Sequence, residues 1–178
     1  MSIRVELRPP RPADEDAWCA LVGVSRTAFT GWVGTEGTPV AFAKYLERSR
    51  SPAAACRLIW RREDDALLGA INLTEIVRGV FQSGYLGYYI GAPFQGQGYM
   101  TEALRLMLRL AFGGLRLHRV EANVQPGNAA SLALVRRAGF RREGCSPRYL
   151  KVAGRWRDHE HWALLSEDWR VQGRHHRP

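Results

Sequence analysis

Tyr85-Leu-Gly-Tyr-Tyr-Ile-Gly-Ala-Pro-Phe-Gln-Gly-Gln-Gly-Tyr-Met-Thr-Glu-Ala103 decides the reading of this chain. A β-like run passes through a glycine-rich bend into a long amphipathic helix. Gly96 and Gly98 remove side chains where a ligand must come close. The helix that follows offers unpaired N–H groups and the positive end of its dipole, a combination that suits a phosphate. Asn128-Ala-Ala-Ser131 opens a second helix with two polar side chains one turn apart. The two features together point to an enzyme that grips a nucleotide-like cofactor by its pyrophosphate.

Patterning outward from this stretch gives a mixed α/β layer. Ile3 to Leu7 alternates and predicts a strand. A first helix follows Asp14-Glu15-Asp16, with Trp18, Leu21 and Val22 on its apolar side. A second runs from Val40 to about Arg48 and buries Phe42, Tyr45 and Leu46. Strands are expected at Cys56 to Arg61, Leu67 to Val77 and Tyr85 to Ile90, the last apolar on both sides and hence central. Met100, Ala103, Leu104, Met107, Leu108, Ala111 and Phe112 mark a helix ended by Gly113-Gly114. A strand at Arg119 to Val124, a helix at Gly127 to Ala138 and strands near Arg141 to Val152 and His161 to Leu165 complete the order. Ala153-Gly154 turns between the last two, and Trp156-Arg-Asp-His159 leads into the final one.

The chain has 178 residues, 46% hydrophobic and 24% charged, ordinary for a globular protein. One domain over residues 1–172 is expected, with a flexible polar tail over 173–178. No N-terminal apolar stretch reads as a secretory signal, and no apolar run reaches the ~20 residues of a membrane helix. A cytoplasmic protein without membrane contact is therefore expected, as a monomer or homodimer. Cys19, Cys56 and Cys145 have no metal or disulfide spacing and read as free buried thiols; the five histidines form no helical metal motif. No metal is implied. The net charge of +9 suits an anionic partner and is compatible with ribosome association, but the arginines are spread along the chain and form no nucleic-acid module.

The bend fits neither a dinucleotide fingerprint nor a kinase-type phosphate loop. Neither the preceding pattern nor the spacing of a later acid suits the first. For the second, Tyr99-Met100 stands where Lys-Ser or Lys-Thr would be needed. Instead the chain resembles the GNAT superfamily of N-acetyltransferases. That family's acetyl-CoA loop reads Gln/Arg-x-x-Gly-x-Gly/Ala; here Gln95-Gly-Gln-Gly98-Tyr-Met100 replaces the last small residue by Met100. The RimJ/RimL ribosomal-protein branch is the most similar. The resemblance rests on Val77 to Tyr88, Gly98-Tyr-Met-Thr-Glu-Ala103, Asn128-Ala-Ala-Ser131, Arg137-Ala-Gly-Phe140 with Glu143-Gly144, and Gly154-Arg-Trp-Arg-Asp158.

The resemblance implies the GNAT acyl-CoA N-acyltransferase fold, a mixed central sheet splayed at the CoA site with helices on both faces. It implies acetyl-CoA as donor, with the pyrophosphate over the N–H groups of Gln95, Gly96, Gln97, Gly98, Tyr99, Met100 and Thr101. The pantetheine arm would lie against the strand of Tyr88, Tyr89 and Ile90. Asn128 would hold the pantetheine end or an ordered water, and Ser131 would protonate the departing thiolate. The tyrosine that many members use for that task is Val135 here. As helix residues, Asn128 and Ser131 also suit a simple cap.

For the general base, Glu121 shares a polar strand face with Asn123 and reads equally as the partner of a neighbouring arginine; Glu75 is a second candidate and Glu102 a weaker one. The branch's carboxylate after Glu-Gly is missing from Ser146-Pro-Arg-Tyr149, which leaves a water relay open. The implied acceptor is the α-amine of a protein N-terminus such as that of a ribosomal protein. A polyamine or aminoglycoside is the alternative, disfavoured because Ser25 to Arg50 holds only Glu36 and Glu47 as acids. A non-catalytic CoA-binding or RNA-associated module is a third reading.

Overall fold

The computed structural model describes residues 3–174, without the side chains of Arg170 and of residues 172–174. In chain order the elements are β1 (Val5–Arg8), α1 (Glu15–Val24), α2 (Arg26–Phe29), α3 (Pro39–Ser49), β2 (Ala55–Arg61), β3 (Leu67–Val77), β4 (Ser83–Ile90), α4 (Tyr99–Arg109), β5 (Arg119–Val124), α5 (Ala129–Arg137), β6 (Arg141–Val152), β7 (Arg155–Leu165) and α6 (Ser166–Arg174). The strands form a seven-stranded sheet in the order β1-β2-β3-β4-β5-β7-β6. All neighbours are antiparallel except β4 and β5, which run parallel across the α4 connection.

Burial follows the alternation read from the sequence. Val120, Ala122 and Val124 of β5 join Ala103, Leu104, Met107 and Leu108 of α4 in one apolar cluster. On the opposite face Trp18, Leu21 and Val22 of α1 meet Phe42 and Tyr45 of α3 over Leu58 and Ala70. Helices thus cover both faces, and β4 is the central strand, as expected. Thr38 caps α3 by accepting from the Ala41 N–H at 3.2 Å, with Pro39 at the first helical position.

Four differences from the sequence reading have local causes. α2 is too short to show a period. α6 offers little apolar pattern beyond Trp169 and Val171, and Trp169 packs 6.3 Å from Phe112. Its last turn carries the backbone of Gly173 and Arg174; the rest of the expected tail, 175–178, lies outside the described residues. β7 starts at Arg155, six residues earlier than predicted, because Ala153 (φ 48°) and Gly154 (φ 78°) form a two-residue hairpin that lets pairing resume at once. Of the three thiols only Cys56 is buried; Cys145 is exposed on the edge strand β6. No described helix is long and apolar enough to cross a membrane.

Candidate active site

The glycine bend is built as the sequence suggested. Gly96 (φ 75°) and Gly98 (φ 83°) are left-handed, and Gly98 immediately precedes α4. Gln95 N and Thr101 N are used in local turns, to Ala92 O and Gly98 O. Among the described residues, the N–H groups of Gly96, Gln97, Gly98, Tyr99 and Met100 have no acceptor. Side chains brace this row. Gln95 Nε2 donates to Ile90 O at 3.2 Å and Gln97 Nε2 to Pro93 O at 3.1 Å.

Arg4, which carried no sequence signal, locks the bend from β1's side. Its Nη2 donates to Gln97 O at 2.9 Å, and its backbone N and Nε both reach Glu102 at 2.7 Å. Its guanidinium lies 4.5 Å from the centre of the buried Tyr99 ring. Glu102 is therefore neutralised, which removes its repulsion toward an anion over the bend. Tyr99 contributes a backbone donor and a packed ring, and Met100 is half-buried against the core.

Beyond the bend the sheet opens. β4 and β5 pair from Ser83↔Arg119 to Leu86↔Ala122 and then part, although β4 continues to Ile90 and β5 to Val124. On its other edge β4 stays paired to β3 as far as Ile90. One edge of Gly87 to Ile90 is thus left without a strand, a place where an amide chain can pair. A cavity of about 150 Å³ occupies the fork, reached by Gly87, Tyr88, Asn123, Asn128, Ser131 and His159.

Asn128 and Ser131 meet at the start of α5, where Asn128 Oδ1 accepts from Ser131 N at 3.1 Å. Capping uses the amide oxygen and leaves the Asn128 NH2 and the Ser131 hydroxyl to the fork. Tyr88 Oη is buried beside Ser131 without a partner in hydrogen-bond geometry. Burial pushes the Tyr88 phenol up to about 12, partly opposed by Ser131. Val135 is fully buried in the core and presents nothing polar to the fork.

Beside the fork, a groove of about 1070 Å³ runs between α3, the 32–38 loop and the β3–β4 surface, and shares Trp32, Gly87 and Tyr88 with the fork. Tyr89 turns into this side, where its hydroxyl accepts from Trp18 Nε1 at 2.8 Å; burial raises its pKa. Tyr45 Oη donates to Asn72 Oδ1 at 2.8 Å. The charged lining is Glu36, Lys44 and Arg48. The cavity of about 770 Å³ near Gln82 and His118 lies at the other end of β4 and β5, and no predicted site residue lines it.

The base candidates are placed apart. Glu121 accepts from Arg119 Nε at 2.7 Å, and the same guanidinium holds Glu143. Glu75 is exposed in the β3 bulge at φ 49°, and Glu102 is held by Arg4. Sequence reasoning missed Trp32, which lines the fork, and Gln125, whose Nε2 donates to Gly31 O at 2.8 Å and ties the loop after α2 to the end of β5. It also missed His159. The only available signal was the Ala153-Gly154 hairpin, which puts that residue into β7 on the face of Asn123.

A GNAT acetyltransferase domain model matches residues 4–141. The probable N-acetyltransferase YjcK of Bacillus subtilis (strain 168) is 38% identical over 133 residues, 75% of this chain and 74% of that protein. The ribosomal protein uS5-alanine N-acetyltransferase of Escherichia coli (strain K12) is 41% identical over 107 residues, 60% of this chain but 55% of that protein. Mycobacterium smegmatis RimJ, solved in complex with CoA-disulfide, superposes with a TM-score of 0.82 at 28% identity over 96% of this chain and 90% of that one. Spermidine N-acetyltransferase from Vibrio cholerae, solved with CoA and spermine, shares the fold at 20% identity and a TM-score of 0.79, over 94% of this chain and 99% of that one. With its braced glycine bend and forked sheet, the chain belongs to the GNAT acetyltransferase family and is an N-acetyltransferase.

Proposed function

We propose that this enzyme transfers acetyl from acetyl-CoA to the α-amine of a protein or peptide N-terminus. The observation that carries the reading is the groove beside the fork, whose charged lining is one acid against two bases. A polyamine would meet Lys44 and Arg48 with only Glu36 to hold it, whereas a peptide brings a single cationic amine and neutral amides. The relative that acts on the alanine of a ribosomal protein supports the same acceptor.

The residues fit the donor. The N–H row from Gly96 to Met100 would take its pyrophosphate, and the free edge of Gly87 to Ile90 would pair with its amide arm. The donor supplies an activated acyl group whose carbonyl would sit in the fork. There the β4 backbone N–H groups left unpaired by β5 would stabilise developing negative charge. Ser131, which lines the fork with Tyr88 beside it, would return a proton to the departing sulfur. Transfer is direct and needs no covalent enzyme intermediate.

The test is thiol release from acetyl-CoA with peptides beginning Ala, Ser or Met, with spermidine and with an aminoglycoside, the acetyl group being located by mass spectrometry. Acetylated peptide α-amines support the proposal. Acetylation confined to spermidine or the aminoglycoside overturns it.

A further inference from the structure

We propose that His159 is the general base that takes the proton from the acceptor amine; this rests on the N-terminal acetyltransferase reading above. His159 is only 3% exposed yet lines the fork cavity together with Ser131 and Tyr88. Its Nδ1 lies 2.9 Å from Arg157 O, and a carbonyl can only accept. Nδ1 therefore carries the proton and Nε2 keeps its lone pair. Nε2 has no hydrogen-bond partner among the described residues, and the ring that carries it lines the cavity.

The neighbouring candidates are occupied. His161 uses both nitrogens, on Asn123 Oδ1 at 2.7 Å and Ser146 Oγ at 2.8 Å. Glu121 is held by Arg119 and Glu102 by Arg4. The groups facing His159 are few: the Tyr149 ring of β6 at 6.2 Å, His161 and Asp158 of β7, and the neutral Asn123, Gln125 and Tyr88 around the cavity. Burial lowers the His159 pKa against the opposing Arg157 carbonyl, so the ring is a free base at neutral pH.

The fork separates two proton tasks. From the groove side the ammonium of the acceptor gives one proton to Nε2, directly or through one water in the cavity, and the imidazolium passes it to solvent. As the C–N bond forms and the C–S bond breaks, the nitrogen loses a second proton, which ends on the sulfur by way of Ser131. The thiol and the amide then balance the reaction, with one proton released. An imidazole suits an α-amine, whose pKa is only about one unit above an ordinary histidine; a lysine side chain lies about four units above.

The test compares the parent enzyme with His159→Asn, whose amide can still donate to Arg157 O. The readouts are acetyl-CoA affinity, thermal midpoint and the pH dependence of kcat on two peptide acceptors. One acceptor begins with Ala; the other carries an aminooxyacetyl group, which is unprotonated at neutral pH. The expected result is unchanged acetyl-CoA affinity, a kcat on the Ala peptide lower by about 100-fold, and a much smaller loss on the aminooxy acceptor. An equal loss on both acceptors indicates a structural role and overturns the assignment, as does an unchanged kcat. Should the variant not fold, the parent profile decides. An acidic limb below the ordinary imidazole range with both acceptors supports His159, and a limb that follows each acceptor's own ionisation overturns it. A parent enzyme that acetylates no peptide α-amine overturns both the function and this role, whereas brisk transfer by His159→Asn overturns this role alone.

Discussion

Gln125 Nε2 donates to the carbonyl of Gly31 at 2.8 Å, joining residues 94 positions apart. The bond ties the loop after α2 to the arm of the fork that carries Asn123. Trp32, the next residue, lines both the fork and the groove. Gln125→Ala should free the loop at the cost of one hydrogen bond of about 1 kcal/mol, raising the acceptor KM about fivefold. Acetyl-CoA affinity, set mainly by the N–H row of the bend, should change by much less. A variant whose acetyl-CoA affinity falls instead would place the loop on the donor side.

The bend is testable by one substitution. At φ 83° Gly98 accepts no β-branched residue without strain, and an added Cβ would lie 3.4 Å from Arg4 Nη2. Gly98→Val should disturb the N–H row and lose at least two charge-assisted bonds, about 3 kcal/mol or more, so acetyl-CoA should bind over about 100-fold more weakly by calorimetry. Unaltered affinity would remove the bend from the donor site.

Tyr88 and Ser131 form a pair with a distinctive signature. The Tyr88 hydroxyl is buried without a partner, so Tyr88→Phe should leave the thermal midpoint unchanged or raise it slightly. If the two hydroxyls act as one donor system, Tyr88→Phe and Ser131→Ala each lower kcat, and the double variant is little worse than Ser131→Ala. Fully multiplicative losses in the double variant would mean the hydroxyls act separately.

Stability should respond to acid in two stages. Burial keeps His159 neutral, so its contribution is complete above the ordinary imidazole value of about 6.5 and is lost as pH falls through the lowered one. Arg119 holds the Glu143 carboxyl below its usual range, so that contribution is lost only below about pH 4.3. Thermal midpoints between pH 7 and 5 should therefore fall for the parent and stay flatter for His159→Asn. Coincident curves in that window would contradict the buried neutral imidazole.

Much of this architecture was legible in the residues. β3, β5 and β6 begin and end where the sequence predicted, because turn residues bound them; β5 is buried on one side and keeps a period of two, whereas β3 is buried on both faces and reads as a nearly continuous apolar run. The bend and the Asn128–Ser131 pair were legible because both depend on local backbone geometry. Arg4 was not, since its partners Gln97 and Glu102 lie over ninety residues away. His159 was hidden by a register question. Only once the Ala153-Gly154 hairpin starts β7 at Arg155 does the residue face the fork. Glu121 read equally as a base and as an arginine's partner, and Arg119, two residues earlier on the same face, pairs with it.

The most direct test of the account is one competition reaction holding acetyl-CoA, an Ala-initiated peptide and spermidine, with both products read by mass spectrometry. Acetyl should appear on the peptide α-amine, with kcat/KM for the peptide well above that for spermidine. Acetylspermidine as the main product would contradict it.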